Sequence, residues 1–227
     1  MPTMETIRAR HSVRQYTDQA ISGKDLAAVQ QLVNQTRGKS KLDIQLVTSN
    51  PEAFNVVANF GLIRGAQALI AFVADGRDQD RTIGYWGQRL VLEAQDLGMN
   101  TCWCAVFSKR KCKATVPAGK IVRVIIALGY GVNDGKERST KSVEQLSRVE
   151  CAQAPSWFDS VMEAAQLAPT GVNLQNFTVV LQEDGRTLDV ECSGKGLTGI
   201  DAGIVMANVE VAANEAGADW SFAHPIR

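Results

Sequence analysis

The sequence predicts an α+β fold, an α/β sandwich built from hairpins and helices rather than from regular βαβ units. Three observations carry this. Short alternating or wholly apolar runs at 42–47, 66–74, 121–128 and 177–182 have the length and pattern of strands. Longer stretches with helical spacing, 83–97, 157–168 and 201–216, lie among them. Asp184-Gly185 is a tight-turn signal between two strand-like runs.

The elements follow in order. Ser22 and Asp25 resemble a capping box, and Leu26, Val29, Leu32 and Val33 then recur at helical spacing. Leu42 to Val47 alternates as a half-buried strand does. A helix is expected after Asn50-Pro51, because proline is tolerated in a first turn. Ala66 to Ala74 reads as a buried strand, and Ile83 to Leu97 as a long helix closed by Gly98. Cys102 to Phe107 is apolar, and Ile121 to Leu128 is a strand running into Gly129-Tyr130-Gly131. The polar stretch 133–142 reads as a loop or linker. Beyond it come a helix at Trp157 to Ala168, strands at Phe177 to Gln182 and Thr187 to Cys192, and a helix from Asp201 to Ala216 ended by Gly217.

Bulk properties narrow the function classes. Lys and Arg together number 24, as do Asp and Glu, so the formal net charge is zero. A chain without charge excess is a poor nucleic-acid or acidic-membrane binder. The opening residues, Met1 to Arg14, contain no signal-like apolar stretch, and no apolar run is long enough to span a bilayer. Five cysteines form no CxxC, a pattern suited to reduced thiols, so a cytoplasmic location is expected. His11 and His224 lie near opposite ends without ligand-spaced partners, which argues against a metal site.

The chain also hints at an internal duplication. Residues 24–33 overlay 158–167, and Ile44 to Val47 then falls on Thr178 to Leu181 without a gap. Gly84 to Gly98 overlays Gly203 to Gly217 at a shorter offset. Two unrelated amphipathic helices would often align this well. The contrast lies in what separates helix from strand. Asn34 to Asp43 is polar and charged, whereas Ala168 to Phe177 is made of turn residues and amides, as if one copy alone had kept a ligand-binding loop.

Two segments carry the candidate chemistry. Arg10-His11-Ser12-Val13-Arg14 places two guanidinium groups, an imidazole and a hydroxyl within five residues, a set suited to a phosphate. Taken alone, it reads more simply as a solvated basic terminus. In Ala168-Pro169-Thr170-Gly171-Val172-Asn173-Leu174-Gln175-Asn176-Phe177, Pro169 stops the preceding helix and Gly171 permits a tight turn. Asn173 and Gln175, two apart in an extended segment, would present their amides on one side, toward a ring edge of alternating N–H and C=O groups. An ordinary helix-to-strand loop explains the same residues.

Together these segments resemble the FMN-dependent nitroreductase family. Residues 10–16 are similar to its opening Arg-x-Ser-x-Arg-x-Phe/Tyr motif, and 168–177 to its Ala-Pro-Ser-x-x-Asn-x-Gln-Pro-Trp loop. Residues 88–103 resemble its long core helix with the following strand, and 124–131 its closing strand. Ordinary members are homodimers in which one subunit grips the flavin phosphate and the other contacts the ring. Here the loop comes late, so the chain resembles a branch in which two degenerate halves, 1–146 and 147–227, imitate the dimer within a monomer. The resemblance implies one FMN, its phosphate held by Arg10, His11, Ser12 and Arg14. Pro169, Thr170, Gly171, Asn173 and Gln175 would line its ring, and Arg138 and Lys141 are candidates for a basic pair reaching the phosphate. It also implies a ping-pong oxidoreductase taking hydride from NAD(P)H at flavin N5 and reducing a small acceptor (a nitroaromatic, a quinone or another flavin). No side chain need act as catalytic acid or base. Thr170-Gly171 and Asn176-Phe177 depart from the family's Ser-Ser and Pro-Trp. A flavin carrier or sensor, or a fold that has lost its cofactor, are the alternatives.

Gly194 to Gly199 fits G-x-G-x-x-G, but too few residues follow the next helix to complete a dinucleotide-binding half. These glycines are expected to form a loop. The four tryptophans and the Cys102/Cys104 pair are expected to serve packing.

Overall fold

The computed structural model describes residues 1–54, 62–194 and 197–226. Among these, six helices and eight strands form a mixed α+β fold with two sheets. The helices are α1 (Met4–Ala9), α2 (Gly23–Ser40), α3 (Asp80–Asp96), α4 (Val143–Leu146), α5 (Trp157–Gln166) and α6 (Thr198–Glu215). The strands are β1 (Asp43–Val47), β2 (Ala68–Ala74), β3 (Asn100–Cys104), β4 (Ile121–Gly129), β5 (Ser147–Val149), β6 (Phe177–Leu181), β7 (Thr187–Cys192) and β8 (Ser221–Phe222). No helix among the described residues is long and apolar enough to cross a membrane.

The chain divides into two compact units, neither of them continuous in sequence: Met1–Ala9, Asp80–Arg89 and Arg138–Arg227 in one, Arg10–Gln79 and Leu90–Glu137 in the other. The second unit holds the antiparallel sheet β1-β2-β4-β3. All seven residues of β2 are buried, which is why the 66–74 run lacks alternation. Cys102 and Cys104 are both buried there, in one apolar cluster with Val13, Tyr16 and Phe107.

The first unit holds the sheet β5-β6-β7-β8, in which β6 and β7 form the predicted hairpin. Asp184 fastens its turn by accepting from the Arg186 and Thr187 N–H groups. The short outer strands β5 and β8, each parallel to its neighbour, carry too little pattern to be read in advance. The glycine-rich stretch follows β7 and leads into α6, after which only the two-residue β8 pairs parallel with β7. Of that stretch, Lys195 and Gly196 lie outside the described residues, and Thr198-Gly199 already belong to α6 rather than to a loop. Helix α6 is buried almost all round, the mark of a core helix.

Close packing of α3 on α6 depends on two glycines. A Cβ at Gly84 would lie 2.0 Å from the Ile200 carbonyl oxygen, and one at Gly203 would lie 2.0 Å from the Arg81 carbonyl oxygen. Beside this crossing the Gln88 amide donates to Asn208 Oδ1 (2.9 Å), and Asn208 donates to the Ala164 carbonyl.

Three local expectations are corrected. Residues 34–40, expected as the first copy's loop, are the last turns of α2. Their polarity marks a helix face rather than a break: Gln30 bonds to Asn34, and Thr36 Oγ1 bonds back to the Leu32 carbonyl. Ser22 occupies the N-cap of α2 but makes no side-chain cap bond; Asp25 instead accepts from the Tyr130 hydroxyl at 2.6 Å. After Asn50-Pro51 the chain forms a 3-10 turn, Pro51–Phe54, and the remainder of the expected helix lies outside the described residues.

Candidate functional site

In the second unit, the backbone of residues 10–17 is fixed from three sides. The Val13 N–H donates to the Thr101 carbonyl, the Arg14 carbonyl accepts from Arg64, and the Tyr16 N–H donates back to Arg64. The Thr17 N–H reaches the Tyr130 carbonyl, and the Gln15 carbonyl accepts from Val132. A non-regular segment is thus held as rigidly as a strand. Gly135, at φ +90°, lets the following loop close on it: a Cβ there would come within 2.7 Å of His11 Cβ.

On this frame Arg10 is almost wholly buried, at 1% exposure, while His11 and Ser12 are half-buried and Arg14 is exposed. Cys102 reports the electrostatics. Burial pushes its thiol up, whereas the charges of Arg14 and Arg10 and a hydrogen bond with Ser12 pull it the other way. Two cations and a hydroxyl thus act on this one thiol of β3. That donor set fits a phosphate dianion.

In the first unit, α5 ends at Gln166 and the chain turns at Pro169 into a 3-10 turn, Gly171–Asn173. The segment is not extended. Val172, Asn173 and Gln175 have φ values of 44°, 57° and 48°, so the expected side-by-side presentation of Asn173 and Gln175 does not occur. Gln175 is 2% exposed and its amide is fully engaged: Oε1 accepts from the Lys141 N–H (2.8 Å) and Nε2 donates to the Gln166 carbonyl (3.0 Å). Its own N–H donates to Thr170 Oγ1. Gln175 thus builds the loop from within. Lys141 shares that work, its ammonium donating to the Gln175 carbonyl at 3.0 Å.

Asn173 differs. Nδ2 donates to the Ser139 carbonyl (2.9 Å), but Oδ1 is a buried acceptor with no protein partner. The pyrimidine edge of a flavin offers the N–H such an acceptor needs. Val172, at 89% exposure, and Leu174, at 52%, form the loop's outer surface. Pro169 is buried and Thr170 half-buried. Arg138 is half-buried and, like Lys141, belongs to the loop's unit rather than to that of Arg10–Arg14.

One residue has a role the sequence did not announce. Asp201, in the first turn of α6, accepts the Gly171 N–H with both carboxylate oxygens, at 3.1 and 3.2 Å. Burial pushes its carboxyl up to about 6, a rise the Gly171 N–H restrains. First-turn aspartates are commonplace, and only the folded loop marks this one as different.

The family model described as "Putative TM nitroreductase" matches residues 2–213. The chain belongs to this nitroreductase family. Among solved structures, a "putative nitroreductase" from Thermotoga maritima is similar over 95% of this chain and 85% of its own length, at 20% identity and a TM-score of 0.70. Another, from Desulfovibrio desulfuricans and described as a complex with FMN, covers 68% of this chain and 98% of its own, at 20% identity and a TM-score of 0.50. No curated protein matches the chain. The α+β architecture of this chain is thus that of its solved neighbour.

Proposed function

We propose that this nitroreductase binds one FMN per chain and passes electrons from NAD(P)H to a small acceptor. The observation that carries the reading is the Arg10–Arg14 segment itself, whose backbone is bonded to Thr101 and Arg64 and whose two guanidinium groups and Ser12 hydroxyl all act on the Cys102 thiol. These residues would hold the ribityl phosphate, the guanidinium groups by charge-assisted bonds and Ser12 by its hydroxyl. His11, packed against Gly135, would complete the grip. Pro169, Thr170, Gly171 and Asn173 would line the ring, with Asn173 Oδ1 accepting its N–H. Gln175 and Lys141 hold that loop in shape, and Arg138 remains a candidate for the phosphate. The bound flavin supplies the hydride chemistry, at its N5. The chain binds and orients it, and its backbone N–H groups and cations favour the anionic reduced form. That a structural neighbour was solved with FMN agrees with this reading.

We also read residues 1–146 and 147–227 as degenerate copies that imitate a dimer within a monomer. Element bounds support this. Gly23 and Trp157 open α2 and α5, Asp43 and Phe177 open β1 and β6, and Val47 and Leu181 close them, each pair 134 residues apart. The α3–α6 crossing supports it further. Gly84 and Gly203 are 119 residues apart, and so are Arg81 and Ile200. Each glycine faces the carbonyl of the residue three before the other, the reciprocal pattern of a two-fold contact.

The test is an anaerobic visible spectrum of protein loaded with FMN, recorded before and after NADPH and then NADH. About one FMN per chain, bleached by either nucleotide, is expected. A yellow protein that neither bleaches indicates a flavin carrier, a colourless one a fold without cofactor, and two equivalent flavins would defeat the one-site reading. Acceptors are then compared by the rate at which a nitroaromatic, a quinone or free flavin reoxidises the protein.

A further inference from the structure

The loop of residues 169–175 holds three non-glycine residues in the left-handed region, including the β-branched Val172. Such a conformation persists only where surrounding bonds over-determine it. Those bonds come from Thr170 and Gln166, close by in the chain, and from Ser139 and Lys141, each 34 residues before its partner in the loop. A further bond comes from the other side in sequence, from Asp201, thirty residues after Gly171 and on the core helix α6.

We propose that Asp201 is the positioning residue of the flavin-ring loop: its ionised carboxylate takes the Gly171 N–H and so sets how firmly the ring is held. The role rests on the flavin reading above. The geometry is a forked acceptance by both oxygens, which a neutral carboxyl weakens by removing the charge that assists it. The structure also shows why the anchor is an acid in this copy alone. At the 119-residue offset that matches α6 to α3, Asp201 corresponds to Thr82, in the copy whose helix–strand junction has no such loop. Acid and loop occur together.

Among the described residues, Cys192, Arg81 and Asp80 are the titratable or charged groups placed near Asp201. Cys192, at the end of β7, feels its charge, and Arg81, in the first turn of α3, acts on the same thiol. Asp80 lies against Gly199, two residues before Asp201. The Cys192 thiol is pushed up to about 12, chiefly by burial, so it stays neutral around the pH at which Asp201 titrates. Asp201 is therefore the group that changes state near pH 6 at this loop.

Two measurements test the role, one without flavin. In 1H–15N spectra of the native protein, the Gly171 amide should titrate with a midpoint near pH 6, and in Asp201→Asn it should stay fixed. Riboflavin is the second probe, because it carries no phosphate and so removes both phosphate titration and the Arg10–Arg14 grip. Its affinity should fall about twofold to fourfold between pH 7.5 and 5.5 in the native protein, and be weaker and flat in Asp201→Asn. Gly171→Pro, which deletes the N–H where Thr170 is already extended (φ −128°, ψ 163°), should weaken riboflavin without altering Asp201. Gly171→Ala, whose Cβ would sit at an ordinary 3.5 Å from Asp201 Oδ2, should behave as native. A Gly171 amide indifferent to pH in a flavin-binding protein overturns the role alone. A protein that binds no flavin at any pH fails the functional reading, and this role with it.

Discussion

The helix–strand units α2–β1 and α5–β6 begin and end at matching positions, yet their junctions are built in different ways. In the first, the helix continues to Ser40 and a single left-handed residue, Lys41 (φ 60°), turns the chain into the strand. In the second, the helix stops at Gln166 and the chain spends 167–176 in irregular structure. Both keep a left-handed residue two before the strand, since Lys41 and Gln175 (φ 48°) are themselves 134 residues apart. Lys41 is exposed and its cap bond is the ordinary backbone one to Arg37. Gln175 is buried and bonds through backbone and amide to three neighbours. The same turn serves a helix cap in one junction and a bonded irregular loop, the proposed flavin-ring loop, in the other. Strain is tolerated in proportion to the bonds that hold it.

The comparison can be broken most forcefully at the α3–α6 crossing. Gly203→Ala and Gly84→Ala should each cost about 3 kcal/mol or more, because each Cβ meets a backbone carbonyl that cannot step aside. If denaturant melts show one glycine tolerating alanine and not the other, the reciprocal contact is not the constraint described here.

Glycine at the two left-handed positions should act with opposite sign. Gln175→Gly should lower stability by about 2 kcal/mol, since it strands the Lys141 N–H and the Gln166 carbonyl. Lys41→Gly should raise it by roughly 1 kcal/mol by relieving a left-handed residue that does nothing else. Equal effects from chemical denaturation would mean that the amide network adds nothing.

Asp201 should make stability depend on pH in the loop-bearing unit. The folded state keeps its proton up to about 6, whereas the unfolded chain releases it near the ordinary 3.8. The folded state binds more protons between those values, so stability falls as pH rises through that window and levels off above it. The fall should be about 1–2 kcal/mol once partial exposure is allowed for, and absent in Asp201→Asn. Thermal melts from pH 4 to 7 decide this.

The smallest effect sharpens the other junction. Gly38→Ala meets nothing within 4 Å and sits in the helical continuation of α2, so it should stabilise by about 0.5–1 kcal/mol. A destabilising result would mean that 34–40 is not a settled helix in solution.

Much was legible in the sequence because it depends on near neighbours. Apolar runs gave β2 and β4, Asp184-Gly185 gave the β6–β7 hairpin, and Pro169 marked the end of α5. The Arg10–Arg14 motif was visible as a set of donors because its members are consecutive. Helical spacing was enough for α3 and α6, although each starts three residues earlier than its apolar pattern. Other features were hidden because they depend on what the backbone brings together. Residues 34–40 looked like a loop since exposed helix faces and loops share a composition, and tertiary packing alone separates them. That Gln175 and Lys141 face inward as loop scaffolding follows from three positive φ angles, to which period-two reasoning is blind. Asp201 was decided by the fold altogether, because its partner is an N–H thirty residues away, and every residue but proline carries one.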